Sequence, residues 1–131
     1  MQAIMVSQSG GPEVLQVGEV PVPQPGPDEV LVRVLAAGVG PWDVSLRSGG
    51  WTGSLPYIPG GHFAGFVEGD TGASAGLYDG APVYGYPGLT GCYAQYLTCP
   101  AEQLAPVPAG LPIADAAGVP IDALTADQGL T

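Results

Sequence analysis

The side chains with the widest chemical repertoire in this 131-residue sequence are one histidine, His62, and two cysteines, Cys92 and Cys99. A zinc site needs three or four ligands at workable spacing, so these three residues predict no zinc centre. The segment CYAQYLTC is typical of one strand, which would separate the thiols by roughly 23 Å and put them on opposite faces. We therefore expect two reduced thiols, as in a cytoplasmic protein.

A nucleophile pattern, G-x-S-x-G, occurs over Gly72–Gly76. It supports serine hydrolase chemistry only as a strand-to-helix elbow with the histidine later in the chain. Here an Asp-Gly turn follows, and His62 comes earlier. The same glycines lack the G-x-G-x-x-G spacing and the following helix that bind a dinucleotide pyrophosphate. The sequence therefore predicts a surface loop at this position.

Two tryptophans and the histidine are the remaining candidates for a binding site. Trp42 and Trp51 lie in a Gly-rich segment, where aromatic side chains either contact a ligand or cap the core. His62 follows a Gly-Gly pair at the start of a predicted strand. It is either a hydrogen-bonded histidine at the strand start or a side chain that points into a cleft.

The charge balance excludes several classes of function. Twelve acids against two arginines, with no lysine, give a formal net charge of −10. Nucleic-acid and anionic-membrane binding need clustered cations, and P-loop or Schiff-base chemistry needs a lysine. The N-terminus lacks the basic region of a signal peptide, and no apolar stretch approaches the ~20 residues of a membrane helix.

The elements that must position these residues are short strands joined by Gly/Pro turns. The chain has 22 Gly and 15 Pro, but 46% of its residues are hydrophobic, which argues against disorder. A helical turn is predicted from Pro41 to Arg47, a short helix after Pro112, and a longer helix after Pro120. This last helix has Ile121, Leu124, Thr125 and Gln128 on one face. Strands are predicted over 2–6, 14–20, 30–37, 62–68, 82–86, 93–98 and 104–107. The pattern favours an antiparallel barrel or sandwich with a helical exit.

Several stretches match one known family in order. They are GGPEVLQ, VPVPQPGPDEVLVRVLAAGV, PWDVSLRSG, LPYIPG, AGFVE, VYGY, YAQYLTCPAEQLAPVP and GVPIDALTA. Together they resemble the quinone oxidoreductase (zeta-crystallin-like) branch of the medium-chain dehydrogenase/reductase superfamily. The resemblance implies a mainly β, GroES-like, partly open antiparallel β-barrel over 1–110. Residues 111–131 would then form a helical connector toward a Rossmann domain that this chain lacks.

The resemblance also implies an activity. Members reduce quinones or α,β-unsaturated carbonyls with NADPH and without zinc, and the Rossmann domain binds most of the cofactor. Hydride delivery requires the protein to orient the acceptor and to stabilise the developing oxyanion. The full-length form is expected to be a cytoplasmic homodimer, and this chain alone to bind little NADPH and to be inactive in hydride transfer.

Residue roles follow from the same resemblance. Gly40, Pro41 and Thr125 fall along the expected nicotinamide edge. No residue is a convincing general acid, although a tyrosine such as Tyr57 is a weak candidate. The expected acceptor pocket is lined by Trp51, Ser45, His62 and Trp42.

This sequence departs from the family pattern at the expected site. Zinc-dependent relatives carry Cys at the position of Gly40 and His at that of Gly61, whereas quinone reductases usually carry Asn at the position of Gly40. Tyrosines are frequent where Trp51 and Ser45 stand, and an acidic or polar residue is common where His62 stands. An altered acceptor pocket is therefore expected.

Two alternatives remain open at the level of sequence. The chain is either part of a reductase or a free-standing GroES-like barrel that binds a small apolar ligand or catalyses a cofactor-free reaction. A subunit that pairs with a separate Rossmann chain is a third arrangement. The reading frame beyond Thr131 discriminates among them.

Overall fold

The computed structural model describes all 131 residues and is built mainly from seven strands. They are β1 (Gln2–Val6), β2 (Leu15–Glu19), β3 (Glu29–Ala37), β4 (Phe63–Val67), β5 (Pro82–Gly85), β6 (Tyr96–Pro100) and β7 (Leu104–Pro106). Three helices accompany them: α1 (Pro41–Ser45), α2 (Ile113–Ala116) and α3 (Pro120–Leu130). None of the helices has the length and apolar character needed to span a bilayer.

The strands form two antiparallel sheets. The larger sheet has five strands in the order β6-β3-β4-β5-β7, and β1 and β2 pair with each other. Single bridges from Ala3 to Ala94 and from Val6 to Tyr57 connect β1 to segments outside the smaller sheet. The predicted mainly β, antiparallel, partly open architecture with helices at the C-terminus is confirmed.

The main core lies on one face of the larger sheet. Alternating residues of β3, such as Val30 and Val32, point inward against Phe63 and Val67 of β4. The two strands approach closely because Gly65 has no side chain: a Cβ there would lie 2.2 Å from the Arg33 carbonyl oxygen. This central β3–β4 pair fixes the position of the segments that leave its ends.

The predicted geometry of the two cysteines is wrong. The strand begins at Tyr96, so Cys92 lies outside it, and both thiols are fully buried in the same core cluster. The segment before the strand turns away to pair with β1, as in the hydrogen bond from Ile4 N–H to the Tyr93 carbonyl (2.8 Å). Both thiols are free. Burial raises the pKa of both, and that of Cys99 reaches about 12, with the Glu29 charge as a second cause.

Two amphipathic predictions also fail in part. The alternation over Val14–Val20 predicts a half-buried strand, but β2 is almost entirely exposed because it pairs only with β1. The helical spacing after Pro120 is confirmed by α3, yet the predicted packing face is largely open to solvent. Pro120 is buried, Ile121 is half-buried and the later residues are exposed. The helix therefore packs on the sheet only at its first turn.

Candidate functional site

Two glycines that follow β3 each have an aromatic ring packed against them. A Cβ on Gly38 would lie 2.1 Å from Cε1 of His62, and a Cβ on Gly40 would lie 2.2 Å from Cζ2 of Trp42. Both glycines are buried, and the two rings lie 6.0 Å apart with a tilt of 50°. The predicted residues Gly40, Trp42 and His62 are thus brought together on what we call the glycine platform, Gly38 and Gly40.

His62 is held by its backbone rather than by its ring. The Gly38 N–H donates to the His62 carbonyl oxygen (3.0 Å), which fixes the residue just before β4. The residue is 2% exposed, and neither ring nitrogen forms a hydrogen bond of good geometry, although the Ala117 backbone approaches the ring. Burial lowers the pKa of His62, against the opposing effects of the Asp43 and Asp122 charges and the Ala117 backbone.

Asp43 is a buried acid whose functional potential the sequence interpretation missed. Its Oδ2 accepts a hydrogen bond from the Gly40 N–H (2.8 Å) at the start of α1, where Pro41 occupies the first turn. Its Oδ1 is buried without a partner. The signal in the sequence was an acid in the first turn after Gly-Pro, which predicted only a helix start.

Tyr57 and Trp51 form a second pair of rings. Their centroids are 4.6 Å apart and the rings are stacked, while Trp51 Nε1 donates to the Ser54 carbonyl (3.0 Å). They pack with Val6 and Val14 in a small core cluster. The Tyr57 hydroxyl is buried without a partner. Burial and then the Asp43 charge raise the pKa of Tyr57, and Arg47 opposes them.

Tyr93 is a second residue that the sequence interpretation missed. Its hydroxyl donates to the Gly38 carbonyl (3.1 Å), and its ring lies against Gly60, whose φ of +96° a larger residue would adopt only with strain. Burial, followed by the Asp43 charge, raises the pKa of Tyr93. The tyrosine therefore ties the glycine platform to the turn before His62.

The buried polar atoms without partners all fall in one region. They are Trp42 Nε1, Asp43 Oδ1, the Tyr57 hydroxyl, and Nδ1 and Nε2 of His62. We call these four residues the polar cluster. The charge of Asp43 acts on both Tyr57 and His62, which links the two pairs of rings electrostatically. Buried polar groups are normally paired, so this concentration is the strongest sign of a site in the chain.

The remaining predicted site residues lie at the surface. Pro41 and Ser45 are exposed on α1, and the Ser45 hydroxyl donates to the Pro41 carbonyl (3.2 Å). Thr125 is exposed on α3, about one helical turn after Ile121. Ile121 approaches Gly61, where a Cβ would meet its Cδ1 at 3.5 Å. The structure therefore brings the base of α3 beside the segment that carries His62, but leaves Thr125 in solvent.

The side chains present do not fit the phosphates of a dinucleotide. Arg33 lies 3.7 Å from a carboxylate oxygen of Glu68, and Arg47 donates through Nε to the Gly10 carbonyl (3.2 Å). The first turn of α3 carries Asp122, which opposes an anion there. No group of three or more His, Cys, Asp or Glu side chains lies together as a metal site.

The motif Gly72–Gly76 forms a 3-10 turn in a surface loop, in agreement with the prediction. A cavity of about 560 Å³ was not foreseen from the sequence. It is a groove between α3 and the β5–β7 edge of the larger sheet. Its walls include Tyr84, Tyr86, Leu104, Val119, Ala123 and Leu124.

Comparison with known proteins places this geometry in a family. Residues 26–109 match the model of the alcohol dehydrogenase GroES-like domain. The chain is 35% identical to the quinone oxidoreductase of Mus musculus, covering 99% of this chain and 40% of that protein. It is 34% identical to the chloroplastic NADPH-dependent alkenal/one oxidoreductase of Arabidopsis thaliana, covering 99% of this chain and 37% of the relative. The chain thus spans about two fifths of the length of these relatives.

Solved structures agree with the sequence comparison. The quinone oxidoreductase of Escherichia coli, solved in complex with NADPH, superposes with a TM-score of 0.90 at 29% identity, covering 99% of this chain and 40% of that one. The quinone oxidoreductase of Coxiella burnetii gives 0.91 at 29% identity, covering 99% and 44%. The fold predicted from the resemblance is confirmed. The chain belongs to the family of alcohol dehydrogenase GroES-like domains, in the medium-chain dehydrogenase/reductase superfamily.

Proposed function

We propose that the chain is the substrate-side catalytic domain of an oxidoreductase that reduces quinones or α,β-unsaturated carbonyls by hydride transfer from NADPH. The observation that carries the proposal is the similarity, over nearly the whole chain, to relatives named quinone oxidoreductase and NADPH-dependent alkenal/one oxidoreductase. The polar cluster beside the glycine platform supplies unpaired donors and acceptors for an oxygen-bearing acceptor.

The acceptor pocket in this proposal centres on Trp42 and His62, with Trp51 and Ser45 at its edge. Gly40, Pro41 and Thr125 follow the nicotinamide edge. The exposed position of Pro41 and Thr125 supports this role, because a second domain can reach them. Residues 1–110 act as the barrel, and 111–131 as a connector toward a Rossmann domain. Full-length molecules pair as homodimers.

Zinc has no part in the proposed reaction. Gly40 and Gly61 offer no ligand atoms, and no group of potential metal ligands lies elsewhere in the chain. NADPH supplies hydride when bound, and its phosphates are held by residues outside this chain. The chain's own residues orient the acceptor and exclude water.

Tyr57 is the candidate proton source. Its hydroxyl is unpaired, and burial raises its pKa, so the hydroxyl stays protonated and is able to donate a hydrogen bond to a developing oxyanion. Because the raised pKa makes Tyr57 a weaker acid, the proton itself passes only to a strongly basic oxyanion. Its stacked ring limits its motion.

The test uses the full-length gene product that contains this chain. NADPH oxidation is followed with a quinone and with an enone as acceptors, and then repeated with NADH. We expect turnover with at least one acceptor and a preference for NADPH, and the 131-residue chain alone should bind NADPH weakly or not at all. A reading frame that stops after Thr131, or tight NADPH binding by the isolated chain, would contradict the proposal that a separate Rossmann domain binds most of the NADPH.

The groove beside α3 supports one alternative, a free-standing barrel that binds a small apolar ligand. Its volume of about 560 Å³ lies within the range of small-molecule sites, and apolar side chains form most of its walls. Binding of an apolar fluorescent probe that a Leu124→Asp substitution abolishes would favour this alternative, provided that no reductase activity is found.

A further inference from the structure

The groove between α3 and the β5–β7 edge has a closely packed floor and one open side. Gly85 of β5 pairs with Leu104 of β7, and a Cβ on this glycine would lie 2.5 Å from the Gln103 carbonyl oxygen. On the α3 side, the wall begins at the buried Pro120 and continues through exposed residues such as Leu124. The cavity of about 560 Å³ is therefore accessible from solvent and large enough for a small molecule.

The charged side chains that line this groove are all acidic, and they stand on its two sides. Glu102 lies in the 3-10 turn just before β7, and Asp127 lies on α3. The chain has no lysine, and its two arginines make contacts elsewhere. Because the net charge is −10 and no base lines the groove, its potential is negative, which favours a cation and opposes an anion.

Two tyrosine rings in the walls add a second attraction for a cation. Tyr84 and Tyr86 both line the groove and are half-buried. The face of an aromatic ring attracts an ammonium group that lies within about 6 Å of its centre. The same rings, with Leu104 and Leu124, offer apolar surface to the rest of a ligand. The walls therefore suit a molecule that combines a positive charge with an apolar body.

We propose that this groove binds an organic cation with an apolar body, such as a primary amine on an aryl-alkyl chain, whose ammonium group is attracted by Glu102 and Asp127. The site is separate from the proposed acceptor pocket, because neither Trp42 nor His62 lines the groove. The inference goes beyond the proposed function, since quinones and enones are neutral molecules. It does not depend on whether the protein reduces them.

The test compares three probes that share a phenylbutyl body and differ in charge. Phenylbutylamine is a cation at neutral pH, phenylbutanol is neutral and phenylbutanoate is an anion. Their binding to the full-length gene product that contains this chain is measured by titration calorimetry at low ionic strength. We expect the amine to bind about tenfold more tightly than the alcohol, because two exposed carboxylates and a tyrosine ring each contribute part of the preference. The anion should bind most weakly.

Ionic strength provides a second measurement on the same three probes. Raising it from about 0.01 M to about 1 M shortens the Debye length from about 30 Å to about 3 Å, so the preference for the amine over the alcohol should largely disappear. The affinity of the neutral alcohol should not fall in parallel, because its binding uses the apolar walls.

Two matched pairs of variants assign the binding to the groove, and all the substituted positions are exposed. The double substitution Glu102→Gln and Asp127→Asn should abolish the preference for the amine, whereas Asp70→Asn, which removes an exposed acid outside the groove, should leave it unchanged. Ala123→Phe fills the groove and should weaken binding of the amine and the alcohol at least about tenfold. Gly129→Phe adds the same ring on α3 where a Cβ meets no atom within 4 Å, and should have no such effect.

Equal affinity for the amine and the alcohol, tighter binding of the anion, or a preference that survives the double substitution would each overturn the proposal. Failure of all three probes to bind would also overturn it, as is the case if another part of the full-length protein covers the groove. None of these measurements involves NADPH. A failure of hydride transfer is therefore distinguishable from a failure of this inference.

Discussion

Substitution of Gly38 by alanine tests whether the glycine platform positions His62. The new Cβ would lie 2.1 Å from Cε1 and 2.2 Å from Nε2 of a ring that is 2% exposed. The φ of Gly38 lies outside the left-handed region, so the effect comes from the clash and not from backbone strain. Overpacking of this kind costs about 1–3 kcal/mol, which lowers Tm by roughly 3–5 °C per kcal/mol in a domain of this size.

The assay is chemical denaturation of the chain followed by tryptophan fluorescence. Gly129→Ala is the matched control: a Cβ there meets no atom within 4 Å inside α3, so it should stabilise the chain by about 0.5–1 kcal/mol. In a His62→Ala background the clash is absent, and Gly38→Ala should cost less than about 0.5 kcal/mol, which gives a coupling energy of roughly 0.5–3 kcal/mol. An equal cost of Gly38→Ala in both backgrounds would refute the contact between ring and platform.

Four further outcomes are expected. Asp43→Asn should lower the pKa of His62 further, because the Asp43 charge favours the imidazolium. An NMR titration measures this pKa, and a rise would show that the Asp43 charge does not act on the ring. Since the pKa of His62 is lowered in the folded chain, the unfolded chain takes up a proton first as pH falls below about 6.5, so stability should decrease there; His62→Gln should remove this part of the pH dependence. Both thiols should resist a thiol reagent at pH 8 until the chain unfolds, because burial raises their pKa, and rapid labelling of either would contradict the core placement. Gly65→Ala should destabilise by more than about 3 kcal/mol in denaturation, because its Cβ would meet the Arg33 backbone 2.2 Å away and a backbone cannot rotate aside.

Local patterns predicted the strands well because most of them lie between turns that contain Gly or Pro and carry apolar residues. The observed ends of the strands differ from the predicted ends where pairing with a segment distant in sequence determines them. Tyr93 and Ala94 look like strand residues, yet they pair with β1 instead of joining β6. The two cysteines were misplaced for the same reason, since their spacing was converted into distance along a strand that begins only at Tyr96.

The site was predicted in part. Trp42 and His62 were identified by residue type. Nothing in the sequence indicated that the His62 ring packs on Gly38 and the Trp42 ring on Gly40. Asp43 and Tyr93 were missed because their importance comes from burial and from shared contacts across 55 residues of chain, as between Tyr93 and Gly38. Periodicity reports which face of an element is apolar, and it carries no information on which buried polar atoms remain unpaired.

Because Trp42 occupies the space above Gly40, substitutions at positions 40 and 42 can occur only in a certain order during evolution. The indole takes this position only while residue 40 lacks a Cβ, since the two would be 2.2 Å apart. A lineage with any larger residue at position 40 must lose that side chain before a tryptophan two positions later gains this placement. The reverse step, restoring a side chain at 40, first requires the indole to leave, so each position constrains which replacements at the other are viable.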